Sequence, residues 1–111
     1  MSASDPTGFF VQTRPDGTLL LRGELDLATV QDLHDKIDEI RIAGQPIILD
    51  LAQLSFMDSS AIHCFVRAAA ESGRPVVLRN SSPVVRRILD IGTTDPIAWV
   101  IDGEGPSGPA G

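Results

Sequence analysis

Between Phe9 and Ile101 the apolar residues change period several times, and that alternation confines the chain to an α/β fold. Phe9 to Thr13 and Thr18 to Arg22 read as short strands joined by Arg14-Pro15-Asp16-Gly17. Proline presets φ for the first turn position and glycine supplies a left-handed one, so the pair forms an antiparallel hairpin. From Thr29 to Ala43 the spacing turns helical, with Val30, Leu33, Ile37 and Ile40 on one stripe. Gln31, Asp32, Asp35, Lys36, Asp38 and Glu39 take the other side, and Gly44 and Pro46 end the helix. Pro46 to Leu51 is apolar except for Asp50, the pattern of a central strand covered on both faces.

A second helix is predicted from Ser60 to Ser72, with Ile62, Phe65, Val66 and Ala69 inward and Gly73 and Pro75 as its stop. Pro75 to Arg79 is the next strand. Ser82 then caps a third helix that opens on Pro83, buries Val84, Val85, Ile88 and Leu89, and stops at Gly92. Ile97 to Ile101 reads as a last strand. The predicted order is β-β-α-β-α-β-α-β, a mixed sheet that is parallel after its first hairpin. Residues 1–8 and 102–111 are rich in Gly, Pro, Ser and acids and read as flexible ends around a single domain at 9–101.

Composition narrows the functional classes. Fifteen acidic against nine basic residues leave a formal charge of −6, which repels phosphate backbones and anionic lipid surfaces. Nucleic-acid and direct membrane binding are therefore not expected, and a protein partner with a basic patch fits better. A single cysteine, Cys64, excludes an intramolecular disulfide and points to a reduced, cytoplasmic chain with a buried thiol. The segment Met1 to Gly8 has neither a basic start nor an apolar run, so no signal peptide is read there.

Functional groups of parallel α/β sheets gather beyond the carboxyl ends of the strands. Three polar clusters follow predicted strand ends: Gly23 to Asp26, Ser55 to Ser60, and Arg79 to Ser82. Topology brings them to one edge, with Glu24, Asp26, Asp58, Ser59, Ser60, His63 and Asn80 as candidate partner-binding residues. Among them the Met57-Asp58-Ser59-Ser60 junction carries most information, because free amides at a helix start favour negative charge. A serine there is a cap, an anion site, or a place where a kinase writes a phosphate. Asp26 equally reads as a cap of the first helix.

Catalysis is not expected. Ser59 and His63 lie one helical turn apart beside Asp58, yet no oxyanion hole, glycine-rich elbow or orienting acid accompanies them. Two isolated histidines, His34 and His63, do not make a metal site, and no cofactor motif is present.

Taken together, Leu21-Arg22-Gly23-Glu24-Leu25-Asp26, Ile48-Leu49-Asp50-Leu51, Phe56-Met57-Asp58-Ser59-Ser60 and Ser82-Pro83-Val84-Val85-Arg86-Arg87 resemble the successive blocks of a STAS domain. More narrowly they resemble the bacterial anti-sigma-factor antagonists, over roughly residues 9 to 101. The resemblance implies a partner-switching protein that binds an anti-sigma factor with serine-kinase activity and so releases a sigma factor. It implies that Ser59 is phosphorylated by that kinase, and that a serine phosphatase restores the binding form. A non-phosphorylated STAS subunit docked on a membrane-transporter ATPase is the alternative that the same resemblance allows. Ala61 stands where the family usually has glycine, and His63 where it often has a small residue.

Overall fold

A computed structural model describes residues 8–92 and 99–102. The elements are β1 (Phe10–Thr13), β2 (Leu19–Leu25), α1 (Val30–Ile42), β3 (Ile48–Met57), α2 (Ser59–Ser72), β4 (Val76–Arg79), α3 (Pro83–Gly92) and β5 (Trp99–Asp102). They form one five-stranded sheet in the order β1-β2-β3-β4-β5, with β1 antiparallel to β2 and every later pair parallel. The predicted α/β architecture and element order are those of the molecule. Most of the two terminal segments read as flexible lies outside the described residues.

The hairpin closes as its sequence predicts. Arg14 N donates to Thr18 O at 2.8 Å, Gly17 N to Arg14 O at 2.9 Å, and Thr18 N to the Asp16 carboxylate at 2.9 Å. Each following parallel pair is joined by a helix, and right-handed crossovers running in one direction put all three helices on one face of the sheet. That face is the core. Leu19, Leu21 and Leu25 of β2, Leu49 and Leu51 of β3, and Val76 and Leu78 of β4 meet Leu33, Ile37, Phe65, Ala68, Val85 and Leu89 of the helices in one cluster. Burying a side chain such as Leu or Phe in this way contributes about 1.5–3 kcal/mol.

The strip Leu20, Asp50, Arg79 runs across the opposite face, neighbour to neighbour by register. No helix covers it. The expectation that β3 is packed on both faces is therefore not met: Asp50 is buried there by polar partners. Its carboxylate accepts Arg14 Nη1 at 2.8 Å, Asn80 Nδ2 at 3.2 Å and its own strand's Ala52 N at 2.9 Å. Burial raises the pKa of this carboxyl, but the three hydrogen bonds and the Arg14 charge outweigh it and hold it below the ordinary value.

Two strands run further than the sequence suggests. β2 continues to Leu25, and β3 continues through Ser55, Phe56 and Met57. The segment Leu19 to Leu25 lies against Leu49 to Met57, so β3 carries two extra residues where the register shifts. A bulge adds one residue to the two-residue repeat. Buried positions along β3 accordingly fall at Leu51, Leu54 and Met57, three apart, and the strand loses its alternating signature. The Ala52 amide is taken up by Asp50, and Ser55 Oγ donates to Gly23 O at 3.0 Å beside the second shift.

On α3 the expected inner face is nearly right. Val85 and Leu89 are buried and Ile88 packs partly against the core, but Val84 is 61% exposed. Pro83 sets the first turn of α3, Ser82 Oγ accepts Val85 N at 3.2 Å, and the next residue inward is Val85.

Candidate functional site

The carboxyl ends of β2 and β3 finish level with each other, since Leu25 pairs with Met57 and Asp58 N donates to Leu25 O at 3.2 Å. Glu24, Asp26 and the Asp58-Ser59-Ser60 junction therefore share one edge. Asp58, in extended conformation, is the N-cap of α2, and its Oδ1 accepts Ser60 N at 2.8 Å. The serines are the first two residues of the helix rather than its cap. Ser59 is exposed, and among the described residues its hydroxyl has no hydrogen-bond partner. The chain thus places a free hydroxyl beside the amide-rich end of a helix that another residue already caps.

Asp26 does not cap α1, whose N-cap Thr29 makes no side-chain capping bond; it ties the turn that leads into the helix. Its Oδ1 accepts Ala28 N at 3.0 Å and Thr29 N at 3.2 Å, while its own amide donates to Thr29 Oγ1 at 3.0 Å. Thr29 Oγ1 also donates to Glu24 O at 2.9 Å, which fixes the path between β2 and α1. Glu24 itself is exposed and sits opposite Phe56 on β3.

Leu27 and Phe56, 79% and 43% exposed, flank the junction and were not among the residues singled out from sequence. Leu27 lines a groove of about 220 Å³ between α1 and α2. Along α2 the groove presents Ser60, His63, Cys64 and Arg67, and along α1 it presents Val30 and His34. Both stripes follow helical spacing, so the groove is the seam where the two helices part at their N-terminal ends. The sequence signal was an apolar residue, Leu27, stranded between two acid-rich turns.

A family model described as the STAS domain matches residues 11–105. The chain belongs to the STAS domain family. A STAS-domain containing protein of Pseudomonas aeruginosa (strain UCBPP-PA14) is 30% identical over 77 residues, 67% of this chain and 76% of that protein. The structure of the anti-sigma factor antagonist SpoIIAA in its unphosphorylated form matches with a TM-score of 0.65 and 28% identity, covering 87% of this chain and 90% of the other. The Bacillus cell fate determinant SpoIIAA in its phosphorylated form gives a TM-score of 0.58 and 27% identity, over 87% and 93%. An anti-sigma factor antagonist from Mycobacterium paratuberculosis, 24% identical, shares the fold over 80% of this chain and 81% of that one, with a TM-score of 0.62.

Within this STAS domain Asn80 does not join the edge. It follows β4, which ends level with Asp50, seven residues before Met57 on β3. At about 3.3 Å per residue that is roughly 20 Å short of the Ser59 junction. Asn80 instead adopts a φ of 59° and binds Asp50, so it reads as a tie within the sheet. The reason is strand length. β4 has four residues where β3 has ten, and convergence required strands of similar reach.

His34 lies beside Asp38 and Glu71, with potential ligand atoms within 4.8 Å of one another. Arg41 reaches Asp38 at 3.1 Å and Glu71 at 3.8 Å, and Arg67 reaches Glu71 at 3.3 Å. Two guanidinium groups already balance those carboxylates, which disfavours a cation there. Cys64 is buried, and that burial pushes its thiol up to about 11. A thiol so protonated at neutral pH is a poor nucleophile. Among the described residues no helix is long and apolar enough to cross a membrane.

Proposed function

We propose that this STAS domain is an anti-sigma-factor antagonist whose partner surface is the β2–β3 edge and whose off-switch is the Ser59 hydroxyl. The observation that carries the reading is the division of labour at the junction. Asp58 caps α2, so Ser59 is left exposed and can be modified without uncapping the helix. Glu24 and Asp26 at the end of β2 and Ser60 and His63 on α2 are assigned to the same surface, and exposed Leu27 and Phe56 supply the apolar contact area that a protein partner needs. The likeness to SpoIIAA, which is known in unphosphorylated and phosphorylated forms, supports the same reading.

In the proposed cycle an anti-sigma factor with serine-kinase activity docks on this edge and releases its sigma factor. The kinase then transfers the γ-phosphoryl group of ATP to Ser59 Oγ. The serine proton goes to the kinase's base and ADP leaves. The new group carries about −1.5 to −2 charges and three acceptor oxygens. Helix amides tolerate it, whereas an apolar partner surface packed against Leu27 and Phe56 would have to desolvate it, and the complex dissociates. A serine phosphatase restores the hydroxyl by delivering water to phosphorus and releasing inorganic phosphate. The unit that performs this cycle is the domain at residues 9–101.

Copurification from the source cell followed by intact mass analysis tests the proposal. The expected result is an anti-sigma kinase bound to the unmodified form and one phosphate on Ser59 after ATP is added. Ser59→Glu should bind the kinase at least about tenfold more weakly than the native chain, while Ser59→Ala should bind and resist release by ATP. Recovery of a transporter ATPase instead, with Ser59 unmodified and Ser59→Glu binding normally, would sink it.

A further inference from the structure

His63 stands four residues after Ser59 on α2, and both are exposed. Residues at that spacing have Cβ atoms about 5–6 Å apart on one helix face. We propose that His63 clamps the phosphate group of phosphoserine 59, drawing it against the mouth of the α1–α2 groove. The inference rests on the reading of Ser59 as the modified residue, and assigns the side chain that receives the modification.

Three observations carry it. First, none of the side chains lining the groove is acidic, although the chain as a whole carries a net charge of −6. The titratable groups lining the groove with His63 are His34 from α1 and Cys64 and Arg67 from α2; the Cys64 thiol is buried and protonated, and Asp38 and Glu71 lie beyond the lining, against His34 and Arg67. Second, the carboxylate adjacent in sequence to Ser59, on Asp58, is already turned toward Ser60 N at 2.8 Å, which spends part of its charge on the helix end. Third, Arg67 is committed elsewhere: its Nε lies 3.3 Å from Glu71 and it sits two turns from Ser59. Among the described residues that leaves His63 as the side-chain N–H donor within reach of a phosphate on Ser59, beside the backbone amides of the first turn. A ring N–H bonded to a phosphate oxygen is a charge-assisted contact, about twice as strong as a neutral one.

The clamp changes what phosphorylation does to the protein. Without it, a dianion beside Asp58 is tolerated at best. With it, the phosphorylated form is held more firmly than the unmodified form, and the phosphatase must pull the group off His63 before water can reach phosphorus.

The test uses the full chain with phosphoserine encoded at position 59 during synthesis, so no kinase is needed. Melting temperatures of the phosphorylated and unmodified forms are compared for the native sequence, His63→Ala and His63→Arg. Phosphoserine should raise the native melting temperature by about 2–4 °C, a shift readable in a domain of this size. His63→Ala should lose that increment, and His63→Arg, a stronger donor, should keep or enlarge it. The unmodified His63→Ala protein should melt within about 2 °C of the native one, since His63 is exposed. No increment in the native sequence, or an equal increment in His63→Ala, overturns the proposal. Absence of phosphate on Ser59 in the source cell would count against the switch itself, and is read in a separate experiment.

Discussion

Asp58, rather than either serine, satisfies a free amide of α2, that of Ser60, and that distinction has a measurable consequence. Asp58→Ala should cost about 0.5–2 kcal/mol in urea unfolding, the ordinary loss for an N-cap. Ser59→Ala should stay within about 0.5 kcal/mol of the native chain, because an exposed hydroxyl without partners contributes little. The opposite ranking would mean that Ser59 is the structural residue. At this scale the Asp58-Ser59-Ser60 motif was legible in the sequence as an anion-friendly helix start, but which of the three residues caps it was not. Asp, Ser and Ser are all good capping types, and only the extended backbone of Asp58 settles which side chain turns inward.

Elements that follow a single period were readable to within a residue or two. α1 is the clearest case, because Leu33, Ile37 and Ile40 all bury as their spacing requires. β3 shows the converse: its two bulges replace alternation with a three-residue step, and a period-two reading stops at Leu51. The sequence groups Asn80 with the switch edge for a related reason, since strand lengths cannot be compared before the bulged extension is known. The second shift lies next to Gly23, whose φ of 99° suits glycine, and whose outer side is covered by the backbone of Gly8 and Phe9. An added Cβ would collide with the Gly8 carbonyl and lie 3.3 Å from Phe9 Cα. Gly23→Ala should therefore lose about 1–3 kcal/mol from backbone strain, and more from displacing buried Phe9. Gly73→Ala is the control, as its methyl would meet nothing within 4 Å and only the left-handed backbone is penalised. Equal losses for the two variants in urea titrations would refute the close approach at Gly23.

For the molecule as a whole, the alkaline limb of the stability curve reports the core. The Cys64 thiol is held up to about 11 in the fold and returns to about 8.5 on unfolding. The folded state therefore binds the proton more tightly. Stability from this group is full below the unfolded value and is lost as pH rises from about 8.5 through the folded value, by on the order of 3 kcal/mol. The sequence has no tyrosine, and Lys36 is its sole lysine, so few side chains blur the signal. Cys64→Ala should flatten urea-derived stability between pH 8.5 and 11, and an unchanged slope would show that the thiol is not what titrates. The buried thiol was foreseeable from a lone cysteine on an amphipathic helix. The one-sided sheet was not, because Asp50 interrupts an apolar strand without revealing that Arg14 and Asn80 come to meet it from distant segments.

The approach of Gly8 to Gly23 also decides how this protein is best handled at the bench. Gly23 pairs with Leu54 and precedes Glu24, so the polypeptide enters the fold close to the partner edge. Asp102 pairs with Arg79, level with Asp50 and far along the sheet from Ser59. A purification handle or fluorescent label fused ahead of Gly8 arrives beside the surface a partner would occupy, whereas one fused beyond Asp102 departs from the remote end of the sheet.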